Sequence, residues 1–168
     1  MRSVTVPLVV LTGYAVVACF VFGTAAAETL LLYPNIFRDV PESLELSQRF
    51  LSAISVGEVM RPLGGVLTLC AVLAFVAAVR YRVAVRWTVL SLVPLVIGQF
   101  LLSVLYEWPR ATILFDDRGK HSLAEIERAA TEFQIGEGFR ILAAALTALF
   151  AVAAALACYR RRVLATLS

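Results

Sequence analysis

An all-α integral membrane protein, built as a four-helix transmembrane bundle, is the fold class this sequence predicts, and three observations carry that expectation. Of 168 residues, 61% are hydrophobic and 16% charged, against roughly 45 to 50% apolar residues in soluble domains. The mean hydropathy is +0.86. The apolar residues gather in four runs, each near the roughly 20 residues a helix needs to cross a hydrocarbon layer about 30 Å thick. The charges then sort to opposite ends of those runs.

The runs are expected at residues 4–32, 63–79, 87–105 and 141–158 of one transmembrane domain spanning residues 1–168. They leave two long loops, 33–62 and 106–140, and no soluble domain. Within the first run, T-A-A-A-E at residues 24–28 offers a small-residue cleavage pattern behind Arg2. A signal-peptide core is only about 7 to 15 residues long, so the longer stretch is expected to remain as a helix. Cys19, Cys70 and Cys158 are scattered and odd in number, which suggests buried apolar fillers and no disulfide framework.

Arg2, Arg80, Arg82, Arg86, Arg160, Arg161 and Arg162 lie at one set of helix ends with no acid among them, whereas all twelve acids lie toward the other. Basic residues concentrate on the cytoplasmic side of membrane proteins. Both termini are therefore expected inside and both long loops outside, in a plasma membrane such as a bacterial inner membrane. The formal net charge of +3 reflects this anchoring, so the expected surroundings are the lipid bilayer and no nucleic acid.

Each loop carries a helical pattern. Pro41 suits a first helical position, and Leu44, Leu51 and Ile54 follow a helical stripe with Phe50 beside it. In the second loop Ser122 and Glu125 have capping-box spacing, with Leu123, Ile126, Ala130 and Phe133 along one face. These amphipathic helices are expected at the outer mouth of the bundle or in the lipid interface.

The two halves resemble each other. The first runs helix, L-L-Y-P-N, amphipathic loop, V-G-E-V-M-R-P-L, helix; the second runs helix, L-Y-E-W-P-R, amphipathic loop, I-G-E-G-F-R-I-L, helix. Pro34 corresponds to Pro109 and Gly23 to Gly98. With two crossings per half, any pseudo-twofold axis lies along the membrane normal.

Charges inside a membrane bundle face a partner or a wet cavity. The outer rim gathers Glu28, Glu58, Arg61, Glu107, Arg110, Glu137 and Arg140. Glu28 is enclosed by apolar sequence and calls for an arginine or a proton. The repeated Gly-Glu-x-x-Arg sets its acid and arginine on one helix face, where they either anchor the rim or, taken together, surround one entrance. Glu28, Glu58 and Glu137 are therefore the candidate acid–base groups, and Arg61 and Arg140 the candidate holders of a polar substrate group.

Gln99 lies about 18 Å along its helix from Trp87 and suits either a ligand polar group or an interhelical hydrogen bond. Tyr33, Tyr106 and Trp108 are candidate substrate contacts, with membrane-interface anchoring as the plainer reading. His121, the only histidine, sits in the polar turn D-D-R-G-K-H-S and reads as a surface residue. No histidine cluster, thiolate pair, glycine-rich phosphate loop or G-x-S-x-G occurs, so no cofactor and no metal is expected.

Four crossings, E-T-L-L-L-Y-P-N-I-F after the first, and E-F-Q-I-G-E-G-F-R-I-L entering the last resemble the anthrone-oxygenase-like membrane proteins. The resemblance implies a four-helix membrane fold and cofactor-free oxygenation of polycyclic phenolic substrates, with Asn35, Glu137 and Arg140 as the matching positions. This chain has no histidine within its expected helices, a departure that sets the oxygenase expectation against an acid–base isomerase or cyclase. The expected function is an enzyme acting on a lipophilic small molecule at an extracytoplasmic polar site. The alternative is a non-catalytic membrane subunit packed against a larger partner or another copy of itself. An enzyme calls for a cavity into which Glu28 and the Gly-Glu-x-x-Arg groups point; a subunit calls for those groups to be satisfied in pairs.

Overall fold

The computed structural model describes residues 5–167; Arg2 and Val4, where the first helix was expected to begin, lie outside them. Five helices account for nearly all of it. They are α1 (Thr5–Ile36), α2 (Glu42–Phe50), α3 (Val56–Tyr81), α4 (Val85–Asp116) and α5 (Leu123–Leu167). Among the described residues there is no strand, and α1, α3, α4 and α5 are long and apolar enough to cross a membrane.

In the bundle, α1 packs on α3 and α5, α4 packs on α5, and α3 meets α4. Small residues permit this close approach, since helices in lipid gain stability from packing and polar contacts more than from water exclusion. Ala148, Ala151, Ala154 and Cys158 form a buried stripe down α5, packed in one core with Leu11, Ala15 and Ala18 of α1 and Ala71 and Ala74 of α3. At Gly98 of α4 an added Cβ would collide with the Ala143 Cβ. Polar groups stitch the same core: the Tyr14 and Ser91 hydroxyls are 2.7 Å apart, Ser91 Oγ donates to the Thr147 carbonyl at 2.8 Å, and Gln99 Nε2 donates to Thr147 Oγ1 at 2.8 Å.

The helices run further than the apolar runs. α4 continues past residue 105 to Asp116, and α5 begins at Leu123 and passes unbroken into the last crossing. The second loop therefore shrinks from residues 106–140 to 117–122, and its amphipathic helix is the projecting end of α5. At 1.5 Å per residue, α5 is about 68 Å long, more than twice a hydrocarbon core. Ser122 starts it as expected: Ser122 N donates to Glu125 Oε2 at 2.8 Å. Nothing downstream stops it, because Gly136 and Gly138 lower helix propensity without removing a hydrogen bond. Ile126, Ala130 and Phe133 are buried, while Leu123 is exposed.

In the first loop α2 does stand alone, with Pro41 at the N-cap, one position earlier than expected. Leu44 is fully buried, but Phe50 and Ile54 are exposed, so the expected Leu44, Leu51, Ile54 stripe holds only in part. Leu44 packs with Tyr33, Ile36, Leu114 and Phe133 in a second core at the acid-bearing end. The Tyr33 and Phe133 rings meet edge to face at 5.4 Å.

Four π turns interrupt the α-helical pattern among the described residues, one in α1 and three in α4, where Leu95–Leu101 and Thr112–Asp116 have no counterpart in α1; the other two lie at matching places. In α1, residues Glu28–Leu32 form one, closed by Tyr33 N donating to Glu28 O; in α4, Ser103–Glu107 form another, closed by Trp108 N donating to Ser103 O. Each ends two residues before a proline, Pro34 or Pro109. Proline has no N–H for the usual i−4 carbonyl, and the widened turn accommodates that loss. Such turns concentrate at functional sites.

Candidate functional site: a buried acid cluster around Arg140

The π turns bring one acid from α1 and one from α4 to face α5. There the Gly-Glu-x-x-Arg sequence places Glu137 and Arg140 one turn apart. The Arg140 guanidinium approaches Glu137 Oε2 at 2.6 Å through Nη2 and 2.9 Å through Nε. It reaches across to Glu28 Oε2 on α1 at 3.2 Å and Glu107 Oε2 on α4 at 3.6 Å. Ser103 Oγ donates to Glu107 Oε2 at 3.2 Å. Glu28, Glu107 and Glu137 are 9%, 2% and 1% exposed, so the cluster lies within the helix packing and not on the rim.

Gly136 completes the closure. A Cβ there would lie 3.0 Å from the Tyr106 ring and 3.3 Å from Glu107 Cγ. Its hydrogen lets α4 come close enough for Glu107 to join Arg140. Beyond the cluster, the buried Tyr33 is packed against Phe37 and Phe133.

Three carboxyl groups therefore share one guanidinium. Full ionisation would leave two uncompensated negative charges in a low-dielectric interior, a costly arrangement. Glu107 Oε1 and the neighbouring-turn hydroxyl Thr29 Oγ1 are buried with no hydrogen-bond partner. Among the described residues no group of three or more His, Cys, Asp or Glu is arranged to hold a metal ion.

The sequence-selected residues divide sharply. Glu28, Glu137 and Arg140 meet, with Tyr33 buried at the same end of α1. Glu58 does not join them: it is exposed and closes the N-terminus of α3, accepting from Ser55 N at 2.7 Å while Glu58 N donates to Ser55 Oγ at 3.3 Å. No Glu58–Arg61 ion pair forms among the described residues. The Arg61 guanidinium instead lies 6.0 Å from the centroid of Trp108, itself half exposed.

The other candidates also have local partners. Tyr106 lies under the Arg110 guanidinium at 3.6 Å, and Arg110 pairs with Glu132 at 2.8 Å. Asn35 is exposed and donates to the Leu31 carbonyl at 2.7 Å. Gln99 occupies the interhelical bond to Thr147, about two turns of α4 from Glu107. His121 Nδ1 lies 3.8 Å from Glu125 Oε2 in a partly exposed turn.

Glu107 is the site residue that the choice of catalytic candidates passed over. It was visible as one of the rim charges, but Tyr106, Trp108 and Pro109 gave it the look of an interface segment. The π turn, which the sequence does not announce, aims it inward.

Fold and site together define a class: an all-α protein with four helices able to span a membrane and an acid-rich ion cluster enclosed near one end. No protein-family model matches the chain, and neither a curated protein nor a solved structure matches it.

Proposed function

We propose that the chain is a membrane-embedded enzyme that performs acid–base chemistry on a lipophilic small molecule reaching the acidic end of the bundle. The carrying observation is the surplus of three buried carboxyl groups over one guanidinium, with Glu107 Oε1 unpartnered. Charge balance is met by protons held on the cluster, which makes it a proton donor in an apolar setting. Glu107 is the donating group. Arg140 holds Glu28 and Glu137 in place and stabilises the carboxylate left after transfer. A proton added at one carbon and removed from another rearranges a substrate without a co-reactant, so isomerisation or cyclisation suits the cluster better than the oxygenation implied by the anthrone-oxygenase resemblance.

The matched π turns support reading the two halves as an internal duplication. The acid-free arginine end is taken as the cytoplasmic side of a plasma membrane.

The test compares wild type with Glu107→Gln in nanodiscs supplied with a total membrane lipid extract, followed by mass spectrometry. Wild type converts a lipophilic species and the folded Glu107→Gln chain does not. Identical product profiles from the two would sink the proposal. The rival reading, a non-catalytic membrane subunit, draws on the mutual pairing of Glu28, Glu137 and Arg140 and on two grooves among the described residues, neither of which is lined by Glu28 or the Gly-Glu-x-x-Arg groups. It expects no conversion by either chain and capture of a membrane protein partner by both.

A further inference from the structure

Between α1 and α5, toward the arginine-bearing end and away from the acid cluster, lies an open groove of about 510 Å3. Its lining is almost wholly apolar: Leu8, Ala15, Val16 and Cys19 from α1, and Ala155 and Leu156 from α5, with Thr12 inside and Tyr159 at one end. The alanines make it concave. Ala15 is buried and Ala155 half-buried, whereas Val16 and Leu156 stand exposed beside them. From Leu8 to Cys19 the α1 wall is about 16 Å long, close to the depth of one leaflet's hydrocarbon at half of about 30 Å.

Charge distinguishes this groove from ordinary lipid-facing surface. Arg160 and Arg162 are both exposed. At about 100° per residue they stand on either side of Tyr159, one about 100° away and the other about 60°. Arg161 points elsewhere and donates to the Arg82 carbonyl. No acidic residue occurs in residues 1–27, 59–106 or 141–168, so no acid at this end competes for the two guanidiniums.

We propose that the α1–α5 groove seats one acyl chain of an anionic glycerophospholipid, whose phosphate is held by Arg160 and Arg162 with the Tyr159 hydroxyl between them. Basic residues beside a lipid-facing crevice recognise anionic headgroups in this way, and the groove supplies the chain-length fit that scattered surface arginines lack. The site is independent of the acid–base reading of the other end.

The test is native mass spectrometry of the full chain released from nanodiscs containing equal palmitoyl-oleoyl phosphatidylglycerol and phosphatidylcholine. The wild type retains one phosphatidylglycerol in preference to phosphatidylcholine. Replacing Arg160 and Arg162 by Gln lowers that preference about fivefold for each charge removed. Ala155→Phe fills the groove and abolishes retention; Val16→Trp blocks it from the other helix should the first variant fail to fold. Equal retention of the two lipids, or phosphatidylglycerol retention unchanged in the variants, overturns the proposal. So does a dimer that disappears in the groove variants, which would assign the groove to a second copy of the chain.

Discussion

Gly57-Glu58-Val59-Met60-Arg61 and Gly136-Glu137-Gly138-Phe139-Arg140 share a motif, yet one is a helix cap at the surface and the other the centre of a buried ion cluster. The difference lies in what surrounds each. Glu58 is the third residue of α3 and falls where a capping box can form with Ser55. Glu137 lies fourteen positions into α5 (123 to 137), with every nearby backbone N–H already bonded within the helix. Its carboxylate therefore has only side-chain partners available, and α1 and α4 close over it. The glycines follow suit: a Cβ at Gly57 would touch only the Arg61 side chain at 3.9 Å, whereas one at Gly136 meets Tyr106 and Glu107. A five-residue motif thus encodes helix geometry, and its chemistry comes from depth.

That contrast can be broken most severely at the arginines. Arg140→Met strands three buried carboxyl groups and is expected to cost about 3 to 5 kcal/mol, the scale for removing one partner of a buried ion pair. Arg61→Met, losing a distant contact to Trp108, should leave the unfolding midpoint in detergent unchanged. Equal losses at the two sites would show that the Arg140 cluster is wet and not enclosed.

The glycines come next. Gly136→Ala is expected to destabilise by about 1 to 3 kcal/mol through overpacking against Tyr106. Gly57→Ala should be neutral or stabilising by up to about 1 kcal/mol, because alanine is the better helix former. Thermal unfolding of the two variants side by side checks the pair of signs.

A smaller effect is expected at the cap. Ser55→Ala removes an N-cap acceptor and should cost about 1 kcal/mol, while Glu137→Gln tests the opposite site through product formation and not through helix capping. Smallest of all is the turn between α3 and α4, where Ala84 has φ 53°. Ala84→Gly should stabilise by about 0.5 to 1 kcal/mol by relieving a left-handed backbone that glycine adopts freely. An unchanged midpoint there would mean the gain is offset by the added freedom of the unfolded chain.

The fold was legible to different depths along the chain. Four apolar runs announce four helices because crossing hydrocarbon demands length and hydropathy, both local properties. Helix ends were less legible: Tyr106 to Asp116 and Leu123 to Arg140 are polar or mixed, and hydropathy ends a crossing where the helix itself does not end. For the site, an acid inside an apolar run is conspicuous, so Glu28 could be selected, and the repeated Gly-Glu-x-x-Arg pointed to Glu137 and Arg140. Glu58 was selected with them because a motif repeats without stating its depth.

What the sequence by itself determined is the class of environment and the inventory: an apolar chain, an arginine end, an acidic end, and charges too costly to leave in lipid without partners. What only the tertiary structure decided is which acids share Arg140. That depends on π turns before Pro34 and Pro109 and on the approach of α4 over Gly136, and both arise from packing among helices distant in sequence.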